Sequence, residues 1–285
     1  MRTVRTVAEL RAALDEPRRD GRRIGLVPTM GALHDGHLSL IDRARASCDV
    51  VVVTLFVNPA QFDEAADLDA YPRDEARDAV LAEQAGADLL FAPDPTEVYP
   101  PGFSTTVTVC GVSAPLEGEI RGAAHFAGVA TVVCKLLNMA QPDVAFFGQK
   151  DAQQVAVIRR LVRDLDMPVE IEAGATVREH DGLALSSRNA RLSGDERARA
   201  LALRRALDAV RALAAKGERD AGALAAAGRA AMTPFRVEPE YLALVAPDTF
   251  AEVPSVGDEQ VLVAVAARVG DVRLIDNDIL EGRRH

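Results

Sequence analysis

The sequence predicts an α/β protein: a parallel sheet with helices on both faces, followed by a smaller α+β C-terminal domain. Three observations carry that expectation. Through roughly the first 170 residues, short apolar runs alternate with stretches of helical periodicity. The runs are apolar at successive positions, as in "VVVVTLFV" (50–57), which suits strands covered on both faces. Near Thr176 the pattern changes to Ala-rich helices and then closely spaced strands, so the chain divides into residues 1–176 and 177–285.

The elements follow in order. The opening segment, "MRTVRTVAELRAALDEPRRDGRR", is charged and amphipathic and lacks the apolar run of a signal peptide. "IGLV" (24–27) reads as a strand, and Gly36 to Ala46 as the helix after it. The strand at 50–57 leads into a loop, and "RDEARDAVLAEQAGA" forms a helix ending near Gly86. "DLLFA" is a strand, "HFAGVATVVCKLLNMA" a long apolar helix, and "DVAFFG" the next strand. "DAQQVAVIRRLVRDL" is helical and "PVEIEA" closes the sheet. In the second domain, Ser193 and Glu196 form a capping box that starts a long helix. A second Ala-rich helix covers about Asp220 to Met232, and "YLALVA", "QVLVAVAAR" and "VRLIDN" supply strands.

Composition narrows the function. Hydrophobic residues make up 48% of the chain and charged ones 27%, an ordinary globular balance. The net charge of −10 argues against nucleic acid or an anionic membrane as partner, since both select basic surfaces. No apolar stretch approaches membrane-spanning length. Cys48, Cys110 and Cys134 form no Cys-x-x-Cys pair and each has apolar neighbours, so buried, reduced thiols in a cytoplasmic protein are expected.

Four motifs carry chemistry. "PTMGALHDGH" (28–37) places His34 and His37 where a strand turns through glycine into a helix, a natural place to hold an anion. The same spacing could serve a metal or a merely structural pair, but no third ligand is obvious. "FFGQKD" (146–151) puts Lys150 at the end of a second strand, where it is either a solvated lysine or a phosphate contact. "DGLALSSRN" (181–189) offers Ser186, Ser187 and Arg188, either a polar turn or a mobile clamp on a triphosphate. "FVNPAQF" (56–62) sets Asn58 and Gln61 just past the strand at 50–57, and Gln154 lies one turn into the helix after Lys150. Such amides suit the hydroxyl and carboxylate groups of a small substrate. Ligands of parallel α/β sheets bind beyond the carboxyl ends of the strands, so these motifs point to one shared site. The chain has no G-x-x-x-x-G-K-[ST] loop and no G-x-G-x-x-G after a strand.

Taken together and in order, "PTMGALHDGH", "FVNPAQF", "DLDAYPRD", "FFGQKD", "QQ", "DGLALSSRN" and "RLIDN" resemble the pantothenate synthetase (pantoate–β-alanine ligase) family from about Val27 to Asn277. The resemblance implies a Rossmann-like N-terminal domain with a smaller C-terminal lid, and a homodimer. It also implies a ligase using ATP and Mg²⁺ to join pantoate to β-alanine through pantoyl adenylate. Carried over by residue, Met30, Gly31, Ala32, Leu33, His34, Asp35, Gly36 and His37 line the ATP site. Gly148, Gln149, Lys150, Asp151, Val177, Leu185, Ser186, Ser187 and Arg188 complete it. His37, His34, Lys150 and Arg188 take the catalytic roles. Gln61 and Gln154 hold pantoate, with Asn58 beside them, and Gln61 also faces β-alanine. The protein ligands of the metal are not implied. The family's Arg-Pro-Gly-His/Phe-Phe stretch is replaced by "RGAAHFAG", one residue longer and without the proline, which leaves Arg121 and His125 unassigned.

Two rival readings remain at this level. A nucleotidylyltransferase of the same superfamily would need basic groups for a phosphorylated acceptor, where this chain offers neutral amides. A non-catalytic nucleotide-binding protein would be expected to lose His37, Lys150 or the Ser-Ser-Arg segment, and all are present.

Overall fold

The structure is a computed structural model that describes residues 1–62, 68–69 and 71–282. Asp67 and Ala70 of the "DLDAYPRD" motif lie outside the described residues. The chain forms two compact units. One comprises Met1–Gly148 and Gln153–Ala175, the other Gln149–Ala152 and Thr176–His285. Gln149–Ala152 thus group with the second unit, although their place in the sequence assigned them to the first.

The first unit holds the strands β1 (Arg2–Val4), β2 (Ile24–Thr29), β3 (Val50–Leu55), β4 (Leu89–Phe91), β5 (Val144–Gly148) and β6 (Glu170–Gly174). They form one parallel sheet in the order β1-β4-β3-β2-β5-β6. Its longer helices are α1 (Val7–Arg19), α2 (Asp35–Ser47), α3 (Glu75–Gln84), α4 (Ala123–Ala140) and α5 (Ala152–Asp164), whose first residue belongs to the second unit. Alternate side chains of each strand feed opposite faces. Val50 and Val52 join Ile24, Leu26 and the apolar side of α4 in one core layer. Val51 and Val53 join Val27, Leu40, Ile41 and Phe146 in the other. This is why the central strands are apolar at nearly every position, whereas the edge strands β1 and β6 carry Arg2, Thr3, Glu170 and Glu172. Each fully buried valine or leucine contributes about 1.5–3 kcal/mol.

The three-residue edge strand β1 is not foreseen from the sequence, because so short a run carries no readable period. Helix α4 corrects a second expectation. It is long and apolar enough by composition to span a membrane, yet 67% of that window is buried inside the protein. Its apolar surface belongs to the core. Cys48 is buried as expected, Cys134 is partly buried, and Cys110 is exposed in a segment whose neighbours are also mostly exposed.

The sheet has its switch point between β2 and β5. From β2 the order runs through β3 to β4 on one side, and through β5 to β6 on the other. Connections leave the two central strands in opposite directions there, which opens a crevice at their carboxyl ends.

The second unit packs α6 (Gly194–Ala215) and α7 (Ala221–Met232) on an antiparallel sheet of β7 (Pro239–Val245), β8 (Val261–Val269) and β9 (Val272–Leu280). The expected capping box starts α6: Ser193 accepts from Glu196 N–H, and the Glu196 carboxylate accepts from Ser193 N–H at 2.9 Å.

Candidate active site

In the first unit, β2 ends at Thr29 and the chain turns through Met30, Gly31 and Ala32 into α2. Gly31 (φ 89°) and Ala32 (φ 52°) are both left-handed. A Cβ at Gly31 would lie 2.8 Å from Leu55 Cδ1 and 3.0 Å from Asp78 Oδ2, so only glycine fits. Ala32 resists this conformation, and Asp78 holds it there. The Asp78 carboxylate, on α3 and 1% exposed, accepts from the N–H groups of Ala32 and Leu33, both at 2.8 Å. Nothing in the spacing of "RDEARDAV" distinguishes Asp78 from a solvated charge, and sequence reasoning missed it.

His34 is the N-cap of α2, and its Nδ1 accepts from Gly36 N–H at 3.1 Å. His37 Nδ1 accepts in turn from His34 N–H at 3.4 Å. Two imidazoles thereby build a reciprocal capping box. Their ring centroids are 4.2 Å apart and tilted by 38°. With both Nδ1 atoms accepting, each neutral ring carries its proton on Nε2. The pair adds two N–H donors to a helix start whose dipole already favours negative charge. Asp35 and Gly36 open the helix behind them.

The structure brings Gln61 to this turn: its Nε2 donates to Met30 Sδ at 3.2 Å. Asn58, expected to contact substrate, is placed differently. It is 1% exposed, and its Nδ2 donates to Gln61 Oε1 (2.9 Å) and Gly128 O (3.2 Å). Its Oδ1 accepts from Ala60 N–H (3.3 Å) and Tyr99 O–H (2.8 Å). Burial pushes the Tyr99 hydroxyl up to about 12, so it stays a donor. An asparagine with two donors and two acceptor positions filled has no capacity left for a ligand. His125, 5% exposed, donates from Nδ1 to Gln61 O at 2.9 Å, so the atypical "RGAAHFAG" stretch holds the Gln61 backbone. Gly128 permits the close approach of α4, since a Cβ there would sit 2.1 Å from Ala60 O. Gln154 lies half-buried in the first turn of α5. Its neighbour Gln153, which sequence reasoning also passed over, is 4% exposed. It accepts from Glu117 N–H (3.1 Å) and donates to Val112 O (2.9 Å) and Pro115 O (2.7 Å), fixing that loop.

In the second unit, Gln149–Asp151 form a short 3₁₀ turn directly after Gly148. Lys150 Nζ lies 3.7 Å from Asp151 Oδ1. The segment carrying Val177 and Leu185 folds back on itself. Leu185 N–H donates to Val177 O at 3.0 Å, and Arg178 bridges Ala184. Ser186 caps the turn Ser187–Arg191 by accepting from Arg188 N–H at 3.2 Å. Arg197 braces the segment through Glu179 and Asp181, both at 2.8 Å, and its hydrogen bond holds the Asp181 carboxyl below the usual range. Among the described residues no group of three or more His, Cys, Asp or Glu side chains is arranged to hold a metal ion.

A doubly wound parallel α/β sheet with the His34-capped start of α2 at its switch point defines a ligand-binding α/β protein. Within that class, the chain belongs to the pantoate–beta-alanine ligase family, whose sequence model matches residues 2–279. It is similar to the pantothenate synthetase of Cereibacter sphaeroides, with 54% identity over 274 residues, 96% of this chain and 98% of that protein. The enzyme of that name from Deinococcus radiodurans is 55% identical over 265 residues, 90% of this chain and 92% of that one. Among solved structures, pantothenate synthetase from Thermus thermophilus superposes with a TM-score of 0.91 at 49% identity, covering 98% of this chain and 99% of that one. The pantoate–beta-alanine ligase of Francisella tularensis, solved as a complex with beta-gamma ATP and beta-alanine, matches with a TM-score of 0.78 at 30% identity, covering 98% and 97%.

Proposed function

We propose that the protein condenses pantoate with β-alanine in two steps. A pantoate carboxylate oxygen attacks the α-phosphorus of ATP, forming pantoyl adenylate and releasing pyrophosphate. The β-alanine amine then attacks the pantoyl carbonyl, loses a proton, and expels AMP. Family membership supports this over the two rival readings. The observation that carries it is the His34–His37 box at the end of β2, with Gln61 held against Met30 beside it. The first nucleophile is already an anion, so the protein's work is positioning and charge stabilisation rather than base catalysis. The imidazoles, Lys150 and Arg188 disperse phosphate charge. Mg²⁺ enters with ATP as part of that substrate, on phosphate oxygens. The experiment is AMP release with pantoate, β-alanine, ATP and Mg²⁺, each omitted in turn. AMP release that ignores β-alanine, or a product other than pantothenate, refutes the reading.

Gln61 and Gln154 take the pantoate hydroxyls and carboxylate in this reading, Gln61 also faces β-alanine, and Asn58 acts through Gln61. Gln61→Ala and Gln154→Ala are expected to weaken pantoate binding by roughly 1–3 kcal/mol each, leaving ATP affinity nearly unchanged. Calorimetric titration of each substrate checks this, and a selective loss of ATP binding would put the residues in the wrong pocket.

Residues 177–285 serve as a lid, and Arg188 shields the adenylate from water. Arg188→Ala should slow adenylation and raise pantoyl-adenylate hydrolysis in the absence of β-alanine. Retention of adenylate equal to wild type would remove the lid from the mechanism. The enzyme works as a cytoplasmic homodimer in this reading, which sedimentation checks as a mass near twice 30.4 kDa.

A further inference from the structure

Lys150 brings positive charge to the phosphates in the proposed reaction, but a lysine is a flexible four-carbon stem that does not aim itself. The backbone that launches it is held from outside. Asn277, on β9 and 5% exposed, donates from Nδ2 to Gln149 O at 3.0 Å and to Lys150 O at 2.9 Å. These carbonyls belong to the two peptide planes that meet at the Lys150 Cα. Because each plane is rigid, only φ and ψ of Lys150 relate them. One amide bonded to both planes therefore sets φ and ψ, and with them the direction of the Lys150 side chain.

The amide itself has one orientation. Its Oδ1 accepts from Gln149 Nε2 at 3.3 Å, and a flipped amide would turn that oxygen on two carbonyl oxygens. The strand beneath is equally fixed. Asn277 pairs with Ala264, and Asp276 with Val265, in the β8–β9 ladder. Asn277 N–H donates to Asp276 Oδ1 at 2.8 Å. Asp276, 4% exposed, holds Arg178 through two bonds of 2.6 and 2.9 Å. Arg178 also donates to Gly182 O at 3.1 Å, closing the fold that leads into Leu185–Arg188.

We infer that Asn277 is a positioning residue for Lys150 in adenylate formation, and that Asp276 anchors the Leu185–Arg188 segment to the same strand. The inference rests on the reading of Lys150 as a phosphate contact. Its test is a double-mutant cycle on the full-length enzyme, with pantoyl-adenylate formation measured in single turnover. Asn277→Asp keeps the side chain's size and removes both donors. It is expected to lose roughly 10–100-fold in rate, as a misplaced reacting group does. In the Lys150→Ala background the same change should cost less than about twofold, because its effect runs through Lys150. Effects that multiply in the double variant, or a wild-type rate for Asn277→Asp, overturn the inference while leaving the role of Lys150 intact. A wild-type rate for Lys150→Ala overturns that role and the inference with it. Circular dichroism and Tm establish that the variants fold. Should Asn277→Asp not fold, Gln149→Leu removes the bond that orients the Asn277 amide, and its smaller loss must likewise vanish in Lys150→Ala.

Discussion

His37→Ala is expected to slow pantoyl-adenylate formation by about 10²–10³-fold while the protein stays folded. The two halves of that expectation have separate physical sources. Within the helix cap, His37 acts through Nδ1, which accepts a long 3.4 Å bond from His34 N–H. His34 still caps α2 through Gly36. Losing one weak capping bond costs on the order of 0.5–1 kcal/mol. In the proposed reaction the Nε2–H donor, by contrast, sits at a helix start where charge accumulates as the α-phosphorus is attacked. A donor already in place for that charge needs no reorganisation, so its removal is felt in the rate. His37→Gln separates the roles: its amide oxygen can restore the cap, so Tm should return towards wild type while the rate does not. Quenched single-turnover kinetics on both variants, with Tm measured alongside, decide the matter. Near-normal adenylate formation by His37→Ala would remove it from the chemistry.

Asp78→Ala is expected to have the largest effect on stability, and to weaken ATP binding as well. The substitution strips the carboxylate that, among the described residues, accepts from Ala32 N–H and Leu33 N–H. The buried Leu33 amide left unsatisfied costs about 1–3 kcal/mol, and the part-buried Ala32 amide costs less. Typical domain stabilities are about 5–15 kcal/mol, so a lowered urea midpoint should be plain. The exposed Arg77 guanidinium, 3.6 Å from Asp78, adds little to this. The turn also loses what holds Ala32 at φ 52°. Met30 to His34 would then relax, and the nucleotide would meet a site that must be reorganised on binding. An unchanged urea midpoint, or unchanged ATP affinity in the folded variant, would contradict this account.

The sequence by itself determined what depends on local pattern. Strands β2, β3 and β5 are legible because each is a run of apolar residues covered on both faces. The start of α2 is legible because glycine, a turn and paired polar residues cluster within ten positions. The Ser193–Glu196 box is legible because a cap and its partner lie three residues apart. The order of the motifs also revealed the family.

Tertiary structure decided the roles of residues whose partners are remote in sequence. Asp78 binds backbone 45 and 46 residues away. His125 reaches back 64 residues to Gln61, and Asn277 reaches 127 and 128 residues to Lys150 and Gln149. Strand β1 exists only through pairing with β4. Asn58 shows the same limit from the other side: its position after β3 suggested a ligand contact, and only the arrival of Tyr99 and Gly128 filled its hydrogen-bonding groups. A period or a cap is written into neighbouring residues, because helix and strand geometry repeat over a few positions. Whether a polar side chain faces a substrate or a distant stretch of backbone depends on which segments the fold brings beside it.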